Sequence, residues 1–305
     1  MPELQEIVFK NLGVKRKEVV LGPSVGIDGA VIDVGDKSVI VSTDPITGAV
    51  EKIGWLAVNI NANDISTFGV APSVFFSCIL LPEAADRKIV ETVSVEMSRA
   101  AKKLDMAIAG GHCEITPGIA RAIVVGCAMG VTEKGKYVTA GGAKPGDKII
   151  LTKSAGIEGT AILASDREKQ LKKSLSPSLV ASAQNFYRQI SVNKEALLAF
   201  GTGRVDAMHD PTEGGVAGAV HEMADASKLG FEIYEAKIPV AKETLEICRF
   251  FEIDPLYLIA SGSMLIAAKA SHAEQIVEIL RQHRIGANVI GEFFVSSHKR
   301  TIEKK

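Results

Sequence analysis

Gly26-Ile27-Asp28-Gly29-Ala30-Val31-Ile32-Asp33-Val34-Gly35-Asp36-Lys37-Ser38-Val39-Ile40-Val41-Ser42-Thr43-Asp44-Pro45 holds two short apolar runs, Ala30–Val34 and Lys37–Thr43, joined by Gly35-Asp36. Two β-branched runs around a two-residue glycine turn predict a hairpin. Asp28 stands just before the first run and Asp44 just after the second. If the strands pair antiparallel, both carboxylates lie at one edge of a sheet. Taken singly, each is also read as a turn residue bonding its own backbone.

Outward from this hairpin, strands alternate with long helices. Glu51–Phe68 has a helical pattern, with Gly69 placed to end it. Ser73–Leu81 is an apolar run of strand length, and Asp86–Leu104 an amphipathic helix. Met106–Ala109 and Ala122–Gly130 read as strands flanking a loop, Gly110–Gly118. A polar, glycine-rich stretch from Glu133 to Asp147 marks a boundary and predicts two α/β domains, 1–138 and 139–305. In the second, strands fit Lys148–Thr152, Phe231–Glu235, Met264–Ala268 and Ala287–Phe294. Helices fit Val180–Ala199, Gly215–Ser227, Lys242–Phe250 and His272–His283. Arg167–Lys173 reads as a solvated surface patch.

With 305 residues, 47% apolar and 23% charged, the chain has ample material for a packed core. A formal charge of -1 and 5% aromatics exclude a nucleic-acid-binding chain built on a basic field and stacking rings. Cys78, Cys113, Cys127 and Cys248 show no zinc-like spacing, and Cys78 and Cys127 sit in apolar runs, as buried, inert thiols do. Together with an N-terminus unlike a signal peptide and no bilayer-length apolar run, this predicts a soluble, cytoplasmic protein.

Further carboxylates fall beside glycines. On Glu51–Phe68, the residues Asn59, Asn63 and Ser66 share one line, with Asn61 and Asp64 beside it. Short polar side chains on a mostly apolar helix must find partners, because burying one unpaired costs about 1–3 kcal/mol. Two readings stand: an internal polar network, or Asp64 with Asn63 facing a bound metal or ligand. Asp210-Pro211-Thr212-Glu213-Gly214-Gly215 precedes a helix whose start, near Thr212 or Glu213, suits phosphate or ordinary capping. Its paired glycines favour a close-approach site. His209 beside Asp210 is as readily structural as functional. Gly110-Gly111-His112-Cys113-Glu114 offers N–H groups, a candidate base in His112, and Cys113 with no assured cation to activate it. Carboxylates gathered at strand ends and turns suit Mg²⁺, and adjoining glycines suit phosphate. P-loop and Rossmann signatures are lacking.

In this order and spacing the segments resemble the PurM-like superfamily, which includes aminoimidazole ribonucleotide synthetase, selenophosphate synthetase, thiamine-monophosphate kinase and HypE. The resemblance rests on Asp28-Gly29-Ala30-Val31, Ser42-Thr43-Asp44, Asn63-Asp64, Gly110-Gly111, Lys144-Pro145-Gly146-Asp147 and Asp210–Gly215, and looks closest to HypE-related hydrogenase expression/formation proteins. It implies an N-terminal α/β domain forming a β-barrel-like homodimer core, a C-terminal α/β domain, and Mg²⁺-ATP in the cleft between. Carried over by position, Asp28, Asp44, Asp64 and Asp210 would hold metal or triphosphate, and Gly110, Gly111, Thr212 and Gly214 would shape the nucleotide pocket. The shared chemistry is activation of an oxygen by phosphoryl transfer from ATP. Two departures, His112-Cys113-Glu114 where HypE has Asp-Thr-Lys and no cysteine after Cys248, set the chain apart from the thiocarboxamide-to-thiocyanate chemistry of HypE and leave the acceptor unidentified. The expected function is a Mg²⁺-dependent ATP-using enzyme acting on a small-molecule or protein-borne substrate, with a maturation-factor partner. Its alternatives are a small-molecule kinase resembling thiamine-monophosphate kinase, a non-catalytic nucleotide-binding partner, and a purely structural dimer.

Overall fold

A computed structural model describes residues 7–24, 26–47 and 52–303. In chain order the elements are β1 (Val19–Leu21), β2 (Ala30–Val34), β3 (Lys37–Ile46), α1 (Ile53–Thr67), β4 (Pro72–Leu81), α2 (Arg87–Lys103), β5 (Ala107–Ile115) and β6 (Ile123–Glu133). Then follow β7 (Asp147–Thr152), α3 (Ile157–Asp166), α4 (Glu168–Leu171), α5 (Pro177–Gln184), α6 (Asn193–Gly201), β8 (Ala207–His209) and α7 (Gly215–Ser227). The chain ends through β9 (Gly230–Tyr234), α8 (Lys242–Phe251), β10 (Leu265–Lys269), α9 (Ala270–Gln282), β11 (Ala287–Phe294) and β12 (Arg300–Glu303).

Two six-stranded sheets result, ordered β1-β2-β3-β6-β4-β5 and β12-β9-β11-β7-β10-β8. The hairpin is as expected, with Ala30 opposite Val41 and Val34 opposite Lys37. Strand β3 runs past the expected end at Thr43, because β6 continues alongside it and pairs Asp44 with Gly126. The two sheets differ in how they are covered. In the second, Ile149 and Leu151 join α7 in one core, while Ile150 joins α6 and α9 in another. A strand covered on both faces has no reason to alternate, hence the run Ile149-Ile150-Leu151. In the first sheet, Val31, Ile40, Phe75, Val124 and Ala128 are buried with α1 and α2. The intervening Val41, Phe76, Cys78, Leu80, Val125, Cys127 and Met129 are only half-buried, because no helix of the described chain covers that face. Cys78 and Cys127 therefore lie on this open face rather than in the core.

Three readings need correction. The stretch Gly110–Glu114 is not a loop: β5 runs unbroken to Ile115, parallel to β4, as the edge strand. A side chain at Gly111 would collide with the Ser77 carbonyl, so glycine is needed there for strand packing. Val180–Ala199 is not one helix but α5, a 3₁₀ turn (Asn185–Gln189) and α6. Helix α7 starts at Gly215, not near Thr212. Arg167–Lys173 is the solvated patch expected, on and around α4, with Leu171 alone turned into the core. The expected start of α1 at Glu51 lies outside the described residues. Among the described residues, no helix is long and apolar enough to cross a membrane.

Candidate functional site

Helix α1 carries the innermost acid. Every one of its residues except Trp55 is buried, so each polar side chain on it has had to find a partner or a cavity. The two readings of its polar line are divided between its members. Asn63 donates to the Ile190 carbonyl (2.9 Å) and accepts from the Val192 N–H (2.9 Å), binding α1 to the second half of the chain. Ser66 reaches Asn193, and the Trp55 indole donates to the Tyr187 carbonyl, extending the same seam. Asn61 clamps the backbone of Asp44, accepting from its N–H (2.9 Å) and donating to its carbonyl (3.2 Å). Asp64 points the other way, into a cluster of acids.

Asp28, Asp44, Asp64 and Asp210 are brought together from the loop before β2, from β3, from α1 and from the end of β8. Ser42 Oγ lies 2.6 Å from Asp64 Oδ2 and 2.7 Å from the Asp28 carbonyl. A hydroxyl has one proton, so both contacts form together only when Asp64 is protonated and donates to Ser42. Electrostatics agree: burial, then Asp210, Asp44 and Asp28, hold the Asp64 carboxyl well above the usual range. Burial, then Glu213 and Asp28, raise Asp44 to about 6. Asp210 is raised well above its usual value by burial and Asp28, and neither of its carboxylate oxygens has a hydrogen-bond partner although the residue is 1% exposed.

His209 steadies the cluster. Its Nδ1 lies 2.8 Å from Asp28 Oδ1 and its Nε2 2.9 Å from Glu222 Oε2. With an acid at each ring nitrogen, the ring donates both ways as an imidazolium. Burial opposes that charge, but Asp28 and Glu222 outweigh it and raise the His209 pKa well above normal. One ligand atom each from Asp28, His209 and Asp210 falls within 4.8 Å of the others. Crowded carboxylates with high proton affinity, and orphaned oxygens on Asp210, fit an oxygen-binding divalent cation such as Mg²⁺. Beside the acids, Asp44, Thr212, Glu213, Glu158 and Ser261 line a cleft of about 250 Å³ between the two sheets.

Of the other residues singled out in the sequence, Thr212 and Gly214 lie in the turn before α7, and Thr212 lines the cleft. Gly214 and Gly215 have φ of +81° and +60°, and a side chain on Gly215 would strike the backbone of Leu256–Leu258. That close approach is therefore to the chain itself. Gly110, Gly111 and His112 are not brought to the acids: they are exposed on β5, with β4 and β6 between them and β3, and His112 pairs with Glu114 at 3.2 Å. Glu222, Glu158 and Ser261 escaped the sequence reading. Glu222 lies two turns inside a helix and Ser261 in an irregular segment, so neither carries a local signal. Glu158 had one, a carboxylate between glycines in Gly156-Ile157-Glu158-Gly159.

The models of the AIR synthase related protein family match the chain twice, the N-terminal domain over residues 26–132 and the C-terminal domain over 144–303. A Methanocaldococcus jannaschii protein assigned by name to hydrogenase expression and formation is 30% identical over 312 residues, 98% of this chain and 88% of that protein. The carbamoyl dehydratase HypE of Bradyrhizobium diazoefficiens is 26% identical over 282 residues, 90% and 79% of the two chains. Among solved structures, a HypE–HypF complex gives a TM-score of 0.80 at 23% identity, covering 100% of this chain and 96% of the other. HypE in complex with ATP gives 0.73 at 23% identity, covering 98% and 86%. The chain belongs to the AIR synthase related, PurM-like family and stands within it beside the HypE hydrogenase expression/formation proteins.

Proposed function

We propose that this protein is a Mg²⁺-dependent, ATP-binding enzyme of the HypE/PurM type, transferring a phosphoryl group to an oxygen of its substrate in hydrogenase or metallocentre maturation. The observation that carries this is the meeting of Asp28, Asp44, Asp64 and Asp210, with both Asp210 oxygens unpartnered, at the wall of a cleft. The names of its relatives, and an ATP complex of the same fold, support it. Bound Mg²⁺ would offset the charge of a triphosphate and of the phosphoryl group in flight. Asp28, Asp44, Asp64 and Asp210 would hold the metal, with Thr212 and Gly214 beside the phosphates. His209 would hold Asp28 in orientation. Domains 1–138 and 139–305 would supply the two walls.

We further propose a cytoplasmic homodimer joined through the first sheet. Its open face is apolar and half-exposed, and the edge strand β5 presents Ile108 and Ile115 to solvent. An uncovered apolar sheet face with a free edge strand is a site for association. In such a dimer Gly110, Gly111 and His112 would be placed to serve the partner's cleft. The HypE–HypF complex supports a maturation-factor partner.

Calorimetric titration with ATP, with and without Mg²⁺, tests the reading on the wild type and on Asp64→Asn. Binding that requires Mg²⁺ and is abolished by the substitution is expected. Equal affinity with and without Mg²⁺, or no binding, would refute it.

A further inference from the structure

Glu158 sits in the first turn of α3, 3% exposed, and its Oε2 has no hydrogen-bond partner. Ser261, fully buried beside it, has a hydroxyl that faces the Glu158 carboxyl without reaching full hydrogen-bond geometry. Both line the cleft that Asp44 and Glu213 share. Buried polar atoms are nearly always paired, so two orphans facing one cavity point to a ligand group between them. Their position is built in: the Gly159 N–H donates to the Ile259 carbonyl at 2.9 Å, which ties the start of α3 to the segment carrying Ser261. The rest of this wall is apolar, from Ile60, Ile162 and Ile259, and no Lys or Arg is among the described residues that line it.

We propose that this wall is the acceptor subsite, with Glu158 as its proton acceptor and Ser261 as an orienting hydrogen-bond partner, shaped for an uncharged hydroxyl or amide group. The inference rests on the phosphoryl-transfer reading above. In the step, the acceptor oxygen forms a bond to the γ-phosphorus. The bridging bond from that phosphorus breaks, and its electron pair leaves with ADP. The acceptor's hydroxyl or amide proton passes to Glu158 Oε2. Burial, opposed by Ser261 and reinforced by Glu213 and Asp44, places the Glu158 carboxyl at about 7, within the range a base needs at neutral pH. Glu213 and Asp44 are the charges that act on it, and both are negative. A carboxylate or phosphate acceptor on this wall would therefore meet Glu158 and Glu213 with no Lys or Arg beside them, whereas a neutral amide or alcohol meets Glu158 and Ser261 on an apolar floor.

The test uses the full chain with Mg²⁺ and a non-hydrolysable ATP analogue, and follows the methyl resonances of Ile162 and Ile259. Acetamide or propanol is expected to shift them, whereas acetate and inorganic phosphate are not; comparison of the first two separates amide from alcohol acceptors. With MgATP, Glu158→Gln is expected to cut transfer to the seated acceptor by about 100-fold or more and to remove the rise in rate through pH 7. Its affinity for MgATP should stay unchanged. Ser261→Ala should raise the acceptor KM with little change in kcat. Binding of the anions as well as the neutral probes would overturn the subsite. Full activity in Glu158→Gln, or no transfer to either neutral probe by wild type holding MgATP, would overturn the base. Failure to bind MgATP at all would instead remove the underlying phosphoryl-transfer reading, and this inference with it.

Discussion

Replacing Asp44 with Asn removes one negative charge from the acid cluster while keeping its shape. In the metal-free protein Asp44 is raised from 3.8 to about 6 by burial, Glu213 and Asp28. A carboxylate whose folded pKa is raised costs nothing below its unfolded value, and its cost grows as pH rises to the folded value. At about 1.4 kcal/mol per pH unit, the whole interval corresponds to about 3 kcal/mol above pH 6. Partial exposure of Asp44 screens some of this, so Asp44→Asn is expected to gain about 1–3 kcal/mol at pH 7.5 in EDTA. For a protein of this size that is roughly 2–5 °C in Tm. At pH 4 the gain should shrink to about 0.5 kcal/mol, because the carboxylate is then protonated in the folded state and about half ionised in the unfolded one. With Mg²⁺ and ATP at a hundred times Kd, wild type should gain about 2.7 kcal/mol and the variant much less, reversing their order. Thermal and urea denaturation at pH 4, 6 and 7.5, with EDTA or MgATP, measure all of this. A variant less stable than wild type in EDTA at pH 7.5, or a difference independent of pH, would refute the electrostatic argument.

Asn63→Leu deprives the Ile190 carbonyl and the Val192 N–H of their buried partner; a loss of about 2–4 kcal/mol in urea denaturation is expected, and a loss well under 1 would count against the seam. A methyl group at Gly126 would run into the Asn61 amide that clamps Asp44. Gly126→Ala should therefore weaken MgATP binding in calorimetry, and unchanged affinity would detach Asn61 from the site. Val125→Glu places a charge on the open sheet face and should convert a dimer to a monomer by light scattering; if the wild type is already monomeric, the proposed assembly is wrong.

The site was legible where chemistry leaves a local mark. Asp28, Asp44 and Asp210 stand where apolar strands meet glycine or proline, and Asp64 is an acid on a helix otherwise fit for burial. The opposed fates of Asn63 and Asp64 were not legible, since adjacent helix positions differ only in what packs against each. The segment Gly110–Glu114 misled because paired glycines usually mark a loop. Here they let β5 pass close to Ser77, a constraint imposed by a neighbouring strand more than thirty residues away. Ser261 and Glu222 became visible only through what surrounds them.

The alternation of apolar runs, the hairpin and the ordered carboxylates determined the α/β class, the family and the acids, because these depend on residues close in the chain. Tertiary structure alone decided which faces are covered, which polar groups are partnered and which remain open to a ligand. Burial and long-range contact set the pKa values of Asp44 and Glu158, and no local pattern of residues encodes them.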